Sequence, residues 1–171
     1  MAKLKIETGT DNEILRQVAK PVKKVDKTIL KLIQDMKETM DKSNGVGLAA
    51  PQVGQSIRVI VTKFNHDTKQ EINVGMVNPQ IVFRSETTEI GEEGCLSVPG
   101  QYDNVLRSKE IIVKFLDEKG REMMLKLQDL SARIVQHEID HLDGILFIDK
   151  IVEEAEFEFG KRQESEEDLL I

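Results

Sequence analysis

The stretch Gln136-His137-Glu138-Ile139-Asp140-His141-Leu142-Asp143-Gly144 holds two of the three histidines of the chain, in the spacing H-E-x-x-H. On a helix, positions i and i+4 share a face, so His137 and His141 can bind one metal ion. Glu138 lies about 100° further round the helix. From there it reaches a water beside the ion rather than the ion itself, which places a Lewis acid next to a general base. The flanking residues decide where this helix sits. Leu130, Ile134, Val135, Ile139 and Leu142 spread around most of the circumference of a helix that runs from Asp129 to Leu142 and closes at Gly144. A helix apolar on most sides is a buried helix. The motif is therefore expected inside the domain, against a sheet.

The residues upstream predict that sheet. Glu110 to Leu116 is a strand, Asp117-Glu118-Lys119-Gly120 a turn, and Glu122 to Leu127 the returning strand of a hairpin. Ile57 to Val61 is a short β-branched run. Asn73 to Arg84 holds two apolar stretches around Asn78-Pro79, where proline restricts pairing in a central strand. Asp26 to Ser43 reads as a helix: Asp26 suits the N-cap, and Ile29, Leu30, Ile33, Met36 and Met40 recur at helical spacing. Asn44-Gly45-Val46-Gly47 ends it with residues that tolerate positive φ. The expected architecture is α+β. It is a single compact domain with antiparallel or mixed sheets around a buried C-terminal helix that carries the motif, plus an N-terminal helix. The domain spans 1–150, and 151–171 form an acidic tail.

A chain of 171 residues suits one domain with its own core. With no Trp and one Tyr, that core must rest on Ile, Leu, Val and Met. A net charge of −7 argues against a protein that coats nucleic acid. No apolar run is long enough to span a membrane. The N-terminal residues lack a signal-peptide core, so a cytoplasmic location is expected. The single Cys95 cannot form an intramolecular disulfide.

Two histidines leave a catalytic site one ligand short, because such sites usually combine three protein ligands with an open position. His66 sits in a polar loop and reads as a surface residue. The position where a longer peptidase motif would place a third histidine is Phe147. Glu153 and Glu154 belong to a solvated charge run. Cys95, in Glu93-Gly94-Cys95-Leu96-Ser97, is the better candidate, since a Cys/His/His set suits Zn²⁺ or Fe²⁺. A third unusual stretch, Gly45-Val46-Gly47-Leu48-Ala49-Ala50-Pro51-Gln52, lacks the Lys-Ser/Thr end of a phosphate-binding loop. Its small residues permit a peptide backbone to approach. Gln52 can donate to a carbonyl oxygen that becomes negative.

Together these segments resemble the peptide deformylases. That family's patterns are G-Φ-G-Φ-A-A-x-Q, E-G-C-Φ-S and Q-H-E-Φ-D-H-Φ-x-G, with Φ apolar. Gly45–Gln52, Glu93–Ser97 and Gln136–Gly144 match them in order. The resemblance implies Cys95, His137 and His141 as metal ligands and Glu138 as general acid/base. It implies the Gln52 amide and the Leu96 N–H as oxyanion donors. Val46, Gly47 and Gly94 would offer backbone groups to an extended peptide, and Leu130 and Ile134 would wall a methionine pocket. The implied substrate is the N-formyl group on the initiator methionine of a nascent peptide, cleaved to formate and a free amine. Fe²⁺ is the expected native metal, with Zn²⁺, Ni²⁺ and Co²⁺ as alternatives. Transient proximity to the ribosome follows from the substrate. Direct nucleic-acid binding does not, because the acidic tail offers no basic helix.

Four neighbours are also marked. Asp140 is close to both histidines in sequence, with its direction open. Glu93 and Arg107 are expected to pair and steady the Cys95 loop. Arg133 is a long cation beside the presumed pocket, where similar proteins often carry an apolar residue. It either points to solvent or alters side-chain preference. Two rival functions remain: a zinc peptidase, which would not need Cys95, and a non-catalytic binding module, which would need neither Glu138 nor Gln52.

Overall fold

The computed structural model describes residues 3–66 and 68–152. Asp26 caps the first helix, α1 (Lys27–Lys42), by accepting hydrogen bonds from the N–H groups of Thr28 and Ile29. These are donors that a helix start leaves unpaired. Ile33, Met36 and Met40 form its fully buried face. Asn44, at φ 54, then turns the chain.

Seven strands follow among the described residues: β1 (Gly47–Ala49), β2 (Val59–Phe64), β3 (Ile72–Arg84), β4 (Thr88–Cys95), β5 (Val98–Ser108), β6 (Glu110–Leu116) and β7 (Glu122–Gln128). Five of them form one antiparallel sheet in the order β1-β2-β3-β6-β7. β4 and β5 form a separate antiparallel ribbon. The helix α2 (Asp129–Leu142) follows β7 directly. Side chains alternate across a strand, and β2 shows what that alternation does. Val59 and Val61 pack with Ile33, Met36 and Met40 of α1, while Ile60 and Phe64 pack with Val135, Ile139 and Leu142 of α2. The sheet is thus held between two helices, which is why every residue of β2 is buried.

The predicted hairpin forms β6 and β7 as expected, with Gly120 at φ 74 in the turn. The proline at 79 does not split the segment into two strands. β3 passes through as one strand with a register shift between Val77 and Gln80, and Asn78 sits at φ 51. The irregularity is anchored by the Asn78 side chain, which accepts from the Val22 N–H and donates to the Val22 carbonyl, both at 2.8 Å. A bulge is one of the places where a sheet tolerates proline.

The N-terminal segment straps the end of α2. The Ala19 N–H donates to the Leu142 carbonyl at 2.8 Å. Gly144, at φ 74, lies so close to Arg16 that a β-carbon there would sit 2.5 Å from its carbonyl oxygen. At the other end of the described chain, Ile151 bridges Val105 and the Val152 N–H donates to Asn104. Glu153, Glu154 and the rest of the acidic tail lie outside the described residues. Among the described residues, no helix is long and apolar enough to cross a membrane.

Candidate metal centre

Helix periodicity brings His137 and His141 together, with ring centroids 5.0 Å apart. The ribbon brings the third group. Cys95 ends β4 at the ribbon's corner, and its Sγ lies 3.2 Å from His141 Nε2. One donor atom from each of Cys95, His137 and His141 falls within 4.8 Å of the others. His66 is elsewhere, 3.0 Å from Glu71.

The surroundings favour positive charge at this point. Glu93 accepts from His137 Nδ1 at 2.9 Å, from Arg107 Nε and Nη2 at 2.9 and 2.8 Å, and from Arg133 Nη1 at 2.9 Å. The expected Glu93–Arg107 pair is therefore present and buried. Asp140 faces away from both histidines, to Arg107 and to Lys150, the latter at 2.8 Å. The acceptor that orients His137 is thus Glu93, which fixes the imidazole as such partners do in metal sites. Burial alone would raise the Glu93 carboxyl, but hydrogen bonds from Arg107 and His137 outweigh it and hold it well below the usual range. Burial pushes the His137 imidazolium down. Hydrogen bonds to Cys95 and Glu93 and the Glu138 charge overcome that and lift it to about 10. Burial and the neighbouring His137 lower His141. A proton and a metal ion compete for these donors, because an imidazole must be neutral and a thiol deprotonated to bind an ion. His137 also stacks on Phe147 at a centroid distance of 6.2 Å. A thiolate with two imidazoles suits Zn²⁺ or Fe²⁺.

The centre opens into a cleft of about 410 Å³. Val46, Gly47, Gly94, Leu130 and Ile134 all line it, as do Gln52, Leu96 and Glu138. Ile134 is buried deep in the wall, and Leu130 sits exposed at the rim. A β-carbon at Gly47 would collide with the Glu138 carboxylate, so glycine is what admits that side chain. Burial pushes Glu138 up to about 7, and its Oε2 is buried with no hydrogen-bond partner. Gln52 is held by its own loop: its Oε1 accepts from the Ala49 N–H at 2.8 Å. Its Nε2 donates to Ser97 Oγ at 3.1 Å and lies 3.5 Å from Cys95 Sγ.

Arg133 is 8% exposed, so it does not point to solvent. Ser97, Phe147 and Gln136 take roles that their sequence motifs do not assign to them. Ser97 holds Gln52 and donates its N–H to Cys95 Sγ at 3.4 Å. Gln136 ties α2 to the end of β5 through both backbone groups of Ser108, at 3.1 and 2.8 Å. A polar amide on a helix expected to be buried is the signal that could have exposed it, because a buried amide needs partners.

Residues 4–157 match the family described as polypeptide deformylase. The peptide deformylase of Pseudothermotoga lettingae is 46% identical over 149 residues, covering 87% of this chain and 84% of that protein. The crystal structure of peptide deformylase from Thermotoga maritima superposes with a TM-score of 0.84 at 41% identity, covering 90% of this chain and all of that one. A Met-Ala-Ser-bound class I type b peptide deformylase from Acinetobacter baumannii gives 0.81 at 39% identity, covering 88% of this chain and 99% of that one. With this agreement in sequence and fold, the chain belongs to the polypeptide deformylase family, metal-dependent enzymes that remove the N-formyl group from nascent peptides.

Proposed function

We propose that Cys95, His137 and His141 hold the metal of this deformylase and that Glu138 is its general acid/base. The supporting observation is the meeting of three donor atoms within 4.8 Å beside a buried carboxyl pushed up to about 7. A divalent ion held there supplies Lewis acidity and favours nucleophilic water near neutral pH. Glu138 takes the proton of the attacking water, and hydroxide adds to the formyl carbon. The Gln52 amide and the Leu96 N–H stabilise the resulting oxyanion. Glu138 then returns the proton to the leaving amine, so formate and a free N-terminus result. A carboxyl that titrates near 7 suits both transfers.

The substrate is the formylated initiator methionine of a nascent peptide. β1 and β4 are edge strands, and both line the cleft. An extended peptide adds to such edges through main-chain hydrogen bonds, here to Val46, Gly47 and Gly94. Leu130 and Ile134 flank the methionine side chain. Fe²⁺ is the native metal in this reading, ahead of Zn²⁺, Ni²⁺ or Co²⁺. Action is cytoplasmic, close to the ribosome in passing and without direct nucleic-acid contact. Residues 1–150 form the catalytic domain and 151–171 an acidic tail.

The test is anaerobic purification, metal quantification and formate release from formyl-Met-Ala-Ser. About one metal per chain and release of formate are expected. Cleavage of unformylated peptides with no formate release would overturn the assignment. Rapid loss of activity in air supports iron, and full stability in air would replace it with zinc or nickel.

A further inference from the structure

Arg133 lines the cleft, yet the proposed chemistry gives it no task. Its guanidinium spans both strands of the β4–β5 ribbon. Nη1 donates to the Val105 carbonyl at 2.9 Å, to the Gly91 carbonyl at 3.3 Å and to Glu93 at 2.9 Å. Nη2 donates to the Glu89 carbonyl at 2.7 Å. The backbone has made room for it: a β-carbon at Gly91 would lie 2.9 Å from Cζ.

The ribbon has particular need of such a clamp. It shares no hydrogen-bonded ladder with the five-stranded sheet, and its backbone link to α2 lies at its base, from Thr87 through Lys109 to Asp129, so backbone bonds do not fix where its Cys95 end rests on α2. Side chains must do so, and Cys95 sits at the end of this ribbon. Arg133 lies one helical turn before His137, on the same side of α2. A single planar fork therefore joins the element carrying the cysteine to the element carrying both histidines.

We propose that Arg133 is a positioning residue: it seats the β4–β5 ribbon on α2 and so sets the placement of the Cys95 thiolate relative to His137 and His141. The inference rests on Cys95 being a metal ligand. Lysine cannot replace arginine in this task, because an ammonium is a point charge without a fork.

The test uses the full chain loaded with Co²⁺, in wild type, Arg133→Lys and Gly91→Ala. The first variant keeps the charge and loses the fork. The second keeps the arginine and displaces its seat. Two quantities are read: the thiolate-to-cobalt charge-transfer band, and metal affinity by chelator competition. Both variants are expected to shift the band and to bind metal about 10–100-fold more weakly, as loss of an outer supporting contact typically does. A wild-type band and affinity in both, whatever the melting temperature, would overturn the proposal. Should Arg133→Lys fail to fold, Gly91→Ala decides by the same readouts. Persistence of the band in Cys95→Ser would instead remove the ligand assignment beneath it.

Discussion

The two sides of the metal centre are built by different means. On α2, His137 and His141 are placed by the helix itself, through backbone bonds and a four-residue spacing. Leu142, Val135 and Ile139 anchor that helix in the main core. The β4–β5 ribbon places Cys95 with little apolar support: Val98 and Val105 are its buried hydrophobic residues. Its attachment to α2 is mostly ionic and polar, through Glu93, Arg107, Arg133, Asp140 and Gln136. The helix side is thus secured by burial, which is non-directional. The ribbon side is secured by charges, which fix position but must all be satisfied.

Helix-side variants that spare the histidines and Arg133 should therefore remove chemistry and leave the metal in place, whereas variants in the ribbon or its seat on α2 should disturb the metal. Glu138→Gln gives the largest effect. Its activity should fall about 10²–10⁴-fold, the usual worth of a general acid/base, with metal content unchanged by elemental analysis. Wild-type formate release in this variant would sink the mechanism.

Glu93→Gln comes next. It should weaken metal binding about 10–100-fold and destabilise the fold by about 3–5 kcal/mol, because buried cations lose their partner. It also carries a pH signature. The folded-state pKa of Glu93 lies below the ordinary 4.5, so its stabilisation is fully present above that value and lost as pH falls through the folded-state pKa. Acid melting curves should therefore be less steep in Glu93→Gln than in wild type. Parallel curves would show that the carboxylate contributes nothing by this route.

The smallest effect belongs to Asp26→Ala, which removes only the cap of α1. A loss of about 1 kcal/mol is expected from denaturant midpoints, with wild-type metal affinity. A change in affinity here would show that the centre responds to general loosening and would erase the distinction between its two sides.

The same contrast explains what the sequence made legible. α1, α2 and the β6–β7 hairpin were readable because their signals are local: a capping aspartate, apolar residues at helical spacing, a turn ending in glycine. The ribbon offers no such signal. Thr88-Glu89-Ile90-Gly91-Glu92-Glu93-Gly94 looks like an acidic, glycine-broken loop. It is a strand through its pairing with β5, and Arg107 of β5 and Arg133 of α2, both distant in sequence, hold it in place. Cys95 is legible through chemistry and family resemblance, not through its secondary structure. The direction of Arg133 is not legible in sequence, because burial of a cation depends on partners that only the fold assembles. Pro79 signals restricted pairing, and the Asn78 side-chain bonds to Val22 that anchor the bulge there are likewise non-local.

The N-terminal strap beneath α2 bears on how the enzyme comes into being. Arg16 and Ala19 emerge early in synthesis, yet their partners Leu142 and Gly144 come near the end of the described chain. Contacts so far apart in sequence form late and slow the folding of a domain. His137 and His141 lie in α2, which follows all seven strands of the described residues, so the centre cannot be completed until those strands and α2 have been made. Metal capture is then a closing event in folding. A young molecule remains inert until the Arg16–Ala19 segment meets the end of α2.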